Sequence, residues 1–61
     1  MSIKATVNLV DLQGRIKPIT REFENTRHIY NFKNNAINYW SNIQGLDSVI
    51  DEKGKDITKE I

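Results

Sequence analysis

The chain has no cysteine, and only one proline, one histidine and three glycines among its 61 residues. Without cysteine there is no disulfide and no thiolate ligand or nucleophile. The lone His28 excludes a metal cluster of the usual His and Cys kind, and the three glycines form no phosphate-cradling loop. Long apolar runs are missing too: nothing is long enough to span a membrane, and no apolar run follows positive charge at the N-terminus as in a secretory signal. Cytoplasmic residence is the default expectation. At this length one domain, residues 1–61, is expected, with a core that is marginal alone. Very good packing or oligomerisation must then supply the missing stability.

What is present is organised around residues 26–44. Ile29, Phe32, Ala36, Trp40 and Ile43 recur at steps of three and four, which places them on one helical face. Tyr39 sits beside this stripe, and Tyr30 and Ile37 widen one flank. Asn25 or Thr26 can cap the first turn, and Gly45 stands where a left-handed residue closes a helix, with Leu46 folding back towards Trp40. Phe32 and Trp40 are expected in the core. The polar side carries Asn31, Asn34, Asn35, Asn38 and Asn42 where Glu and Lys are usual, although Asn is a poor helix former. AT-rich codon usage accounts for that composition. The sharper reading is an uncharged recognition stripe, with Asn34 and Asn38 both donating and accepting hydrogen bonds.

Before the helix, Ile3, Ala5, Val7 and Leu9 alternate with Lys4, Thr6 and Asn8, the pattern of a half-buried strand over residues 3–10. Residues 11–14, Asp-Leu-Gln-Gly, have the form of a type I turn followed by a left-handed glycine. That turn sets a register with a second strand over residues 16–23: Leu9 with Lys17, Val7 with Ile19, Ala5 with Arg21, Ile3 with Phe23. On the other face it pairs Val10 with Ile16, Thr6 with Thr20 and Lys4 with Glu22. Pro18 cannot donate to a ladder, so its N–H side should be free. After the helix, residues 51–54 repeat the Asp-x-x-Gly turn and predict a second hairpin, strands 47–51 and 55–59, pairing Val49 with Ile57, Ser48 with Thr58 and Asp47 with Lys59. The order is ββαββ, an α+β fold of two layers with one helix on an antiparallel sheet.

No catalytic constellation is evident, since no nucleophile or acid–base pair has an orienting partner. His28 reads as a structural residue at a helix start. Asp47, Asp51, Glu52 and Asp56 read as a solvated acidic turn, because they lack calcium-loop spacing. A non-enzymatic protein without cofactor or metal is expected. Tyr30, Ile37, Tyr39, Asn34 and Asn38 are the candidate protein interface of an expected self-associating, dimeric binding protein whose protein partner the sequence does not identify. The alternative is nucleic-acid binding. Residues 1–33 carry six bases against three acids, and residues 34–61 three bases against five acids. Arg15, Lys17, Arg21, Arg27 and Lys33 are therefore the candidate phosphate contacts, Arg21 having snorkelling over the helix edge as its plainer role. In size and composition, small, cysteine-free and rich in Asn and Ile, the chain resembles accessory proteins of bacteriophages and other mobile elements. No motif carries that resemblance.

Overall fold

The computed structural model describes residues 2–61. Two strands, β1 (Ile3–Asp11) and β2 (Ile16–Phe23), lead into helix α1 (Thr26–Tyr39), and a third strand, β3 (Ile43–Asp51), follows it. The strands make one antiparallel sheet in the order β2-β1-β3. The helix packs on one face of it, giving a small α+β fold.

The first hairpin has the register anticipated from its turn, from Ile3 opposite Phe23 to Val10 opposite Ile16. The Asp11 carboxylate organises the turn by accepting from the N–H groups of Gln13 (2.9 Å) and Arg15 (2.8 Å). Gly14 takes the left-handed conformation that closes it, at φ +82°. The Asp11 N–H donates to the Arg15 carbonyl at 2.9 Å. Bonded pairs then recur at every second position, and Pro18, opposite Asn8, lies in a pair that exchanges no bond. Its missing N–H therefore falls on the outer edge of β2.

Of the two cap candidates it is Asn25, not Thr26, that caps the helix: the Asn25 side chain accepts from His28 N–H at 2.9 Å. Its end differs from the sequence expectation. The helix stops at Tyr39, and Trp40 is already extended (φ −80°, ψ 131°). Ile43 fits the helical period, yet it also fits the buried face of a strand, and pairing along β1 wins. As part of β3, Ile43 lies opposite Asp11 and is buried. Gly45 closes no helix; it lies in β3 opposite Val10, without a positive φ. Leu46 packs on the core opposite Leu9 instead of returning to Trp40.

The second hairpin is also corrected. Its turn forms as a copy of the first. Asp51 accepts from Lys53 N–H (2.9 Å) and Lys55 N–H (2.8 Å), and Gly54 sits at φ +83°. The expected strand over residues 55–59 does not follow. Pairing stops after one bridge, Ile50 with Asp56, and Thr58–Glu60 coil into a 3-10 turn. The cause is local: the Asp56 carboxylate captures both the N–H and the hydroxyl of Thr58, which bends the chain away. Thr58 Oγ1 then accepts from Val49 N–H at 2.9 Å, where a strand would have offered a carbonyl. Ile57 N–H still donates to the Val49 carbonyl at 2.8 Å. The order is therefore ββαβ.

The core comprises Ala5, Val7 and Leu9 of β1, Phe23, Ile29, Ala36, Ile43, Val49 and Ile57, with Ile3, Ile19, Phe32, Ile37, Leu46 and Ile61 packed around it. Trp40, expected inside, is 39% exposed, standing just past the end of the helix in extended backbone. Phe32 is only partly buried. No helix among the described residues is long and apolar enough to cross a membrane.

Candidate functional site

Aromatic rings run along the seam between α1 and β2. Phe23 meets His28 edge-on at 5.4 Å and Phe32 at 5.6 Å, and Phe32 meets Trp40 at 5.8 Å. Lys17 and Arg21 share the face of β2 turned towards the helix, since they lie two positions either side of Ile19. Their charges settle on these rings: the Lys17 ammonium is 5.8 Å from the Trp40 ring centre, and the Arg21 guanidinium 5.1 Å from that of Phe32. Arg21 thus covers an apolar ring while its charge stays in water. His28 holds the helix start, its Nδ1 accepting from Glu24 N–H at 3.2 Å.

At one end of the molecule the first turn meets the chain between α1 and β3, with Leu12 N–H donating to the Asn42 carbonyl at 3.0 Å. Leu12 is 64% exposed and Tyr39 79% exposed at this end, alongside Trp40. Arg15 and Lys17 supply its charge. The one carboxylate of the turn, Asp11, is occupied by backbone N–H groups. Acids gather on the opposite side, where Asp47, Asp56 and Glu60 line a shallow pocket with Thr58 and Lys59. The charge imbalance along the sequence has become one across the sheet, basic at β2 and acidic beyond β3.

The other candidates lie elsewhere. Tyr30 and Arg27 line a shallow depression with Thr26, Glu60 and Ile61. The Lys33 ammonium lies 4.4 Å from the Tyr30 ring centre. Asn34, hydrogen-bonding the Tyr30 hydroxyl, and then Lys33 hold that phenol below its ordinary value. Asn38 is exposed and Ile37 half-buried against the core. The five candidate phosphate contacts therefore fall into two groups: Arg15, Lys17 and Arg21 towards the first hairpin, and Arg27 and Lys33 around Tyr30. The candidate protein interface is divided as well, with Tyr30 and Asn34 together and Tyr39 at the far end of the helix.

Sequence reasoning passed over the second face of the sheet, which no element covers. Four rows cross it: Glu22 and Lys4; Thr20, Thr6 and Ile50; Pro18, Asn8 and Ser48; Ile16, Val10 and Gly45. The pairs Val10–Ile16 and Thr6–Thr20 were the available signal, being uncharged partners on the face assigned to solvent. Among the described residues, no group of three or more His, Cys, Asp or Glu side chains is arranged to hold a metal ion. No family model matches this chain, and neither the curated proteins nor the solved structures yield a match.

Proposed function

We propose that this chain is a small non-catalytic binding protein of the cytoplasm, which self-associates and recruits a protein partner through the end that presents Leu12, Tyr39 and Trp40. One observation carries this reading: three large apolar side chains stay exposed on the two segments that the Leu12–Asn42 hydrogen bond joins, in a chain whose small core has every reason to take them in. Exposed aromatic and aliphatic side chains beside Arg are the composition of an interface centre. Arg15 and Lys17 favour a partner with acidic groups around its own apolar patch. An accessory role in a phage or mobile element fits the size and composition.

The test is affinity capture from cell extract with the wild-type chain, Tyr39→Ala and Lys17→Glu. Tyr39 is 79% exposed, so its loss leaves the fold intact. A protein held by the wild type and lost from both variants supports the reading. Equal retention by all three, or nothing retained beyond the chain itself, overturns recruitment at this end.

Nucleic-acid binding is the second reading, favoured by Lys17 and Arg21 lying over the rings of Trp40 and Phe32. Basic and aromatic groups side by side are what a single strand uses. Three phosphate contacts, through Arg15, Lys17 and Arg21, give a slope of about −2 for log affinity against log salt. Titrating oligothymidylate against Trp40 fluorescence measures that slope. No fluorescence change at low salt removes this reading.

A further inference from the structure

The two outer edges of the sheet differ. On β3 the outward groups of Val49 and Asp51 bond to Ile57, Thr58 and Lys55, so the chain closes that edge itself. β2 is the other edge strand. Bonded pairs counted from Asp11 and Arg15 turn the backbone of Lys17, Ile19 and Arg21 inward to β1, and that of Ile16, Pro18, Thr20 and Glu22 outward. Among the described residues, the N–H groups of Ile16, Thr20 and Glu22 find no acceptor. Pro18 has no donor to offer, but its carbonyl still accepts. The side chains over this edge are of one sign. On the helix side the charged residues are Arg15, Lys17 and Arg21, with half-buried Ile19 between the last two. Lys17 and Arg21 rest on the rings of Trp40 and Phe32, and neither pairs with a carboxylate among the described residues. Glu22, the one acid of β2, points to the opposite face.

We infer that the edge of β2 takes up an extended segment of the protein partner as a further antiparallel strand, with acidic side chains opposite Lys17 and Arg21 and an apolar one opposite Ile19. The inference rests on the partner recruitment in the proposed function and names the kind of segment recruited. In strand addition the backbone hydrogen bonds supply affinity and alternate side chains supply specificity. Antiparallel pairing continues the pattern of the sheet and is the more stable kind. Helix-side positions of a strand are two residues apart, so the segment reads acidic-x-apolar-x-acidic. Its x positions lie on the side of Thr20 and Glu22, where a further acid would be repelled. A second copy of β2 is the poorer occupant, because all its helix-side charges are basic and would repeat the sign they meet.

The probe is the peptide acetyl-Thr-Glu-Thr-Val-Thr-Glu-Thr-amide, which matches residues 16–22 in length, titrated at low salt into the ¹⁵N-labelled chain. The amides of Thr20 and Glu22 should shift most and gain protection from hydrogen exchange. Methylating the backbone nitrogens of the threonines beside the valine keeps the charge and removes the donors aimed at the Pro18 and Thr20 carbonyls, and should raise the dissociation constant ~10-fold or more. Thr20→Pro removes an outward donor at a position that, like Pro18, bonds nothing on β1, and Arg21→Glu reverses one charge. Each should weaken binding ~10-fold, with the fold checked by circular dichroism. Equal binding of the methylated peptide overturns strand addition and leaves only attraction between charges. If neither peptide binds while capture still depends on Tyr39 and Lys17, the edge is overturned and recruitment stands. If capture fails as well, both are overturned. Shifts at Thr20 and Glu22 that grow with chain concentration before any peptide is added assign the edge to a second copy and overturn the inference.

Discussion

Replacing Thr58 by valine tests why the chain ends in a 3-10 turn and not a fourth strand. The substitution keeps the branched shape and removes the hydroxyl. Val49 N–H, in a fully buried residue, then loses its acceptor, Thr58 Oγ1 at 2.9 Å. A buried N–H without a partner costs about 2 kcal/mol. In a domain of this size that lowers the melting temperature by about 10 °C. Thr58→Ser retains the hydroxyl and is the control. Thermal unfolding followed by far-ultraviolet circular dichroism reads both variants. A valine variant melting within about 2 °C of the serine variant would refute the claim that one hydroxyl substitutes for a strand carbonyl.

The same segment gives a pH dependence. Thr58, through its hydroxyl and then its N–H, holds the Asp56 carboxyl below its ordinary value of 3.8. A carboxyl depressed in the fold contributes stability that is fully present above that value and is lost as pH falls through the lower, folded one. The Asp56 carboxyl ¹³C shift should titrate below pH 3.8; a midpoint at or above it refutes the contact. Gly54→Ala forces a left-handed residue at φ +83° in open space, so the backbone alone should cost about 1–2 kcal/mol by urea unfolding. Gly45→Ala, equally open but without a positive φ, should cost nothing of that size. Asn25→Ala should lose about 1 kcal/mol of stability and Asn25→Asp should not.

The parts of the fold legible in the sequence were those fixed by neighbours in the chain. The Asp-x-x-Gly turn sets the β1–β2 register by itself, and Asn25 marks the helix start for the same local reason. The helix end was not legible, because Ile43 satisfies both the helical period and a strand's buried face, and only β1 decides between them. Val49 and Thr58 show the converse. Pairing was rightly expected after the second turn, but a side-chain hydrogen bond ended it. At the site, Lys17 and Arg21 were recognised as chemically notable. Their resting places on Trp40 and Phe32 depend on the crossing of helix and strand, which no spacing reveals. The uncovered sheet face was hidden for a different reason: Val10, Ile16 and Ile50 are unremarkable singly and share a face only when three strands align.

Self-association of the chain is tested most directly by isotope-filtered NMR on a mixture of labelled and unlabelled chains. Contacts between labelled and unlabelled chains are predicted at millimolar concentration. Their absence, with sedimentation showing a monomer across the same range, would contradict it.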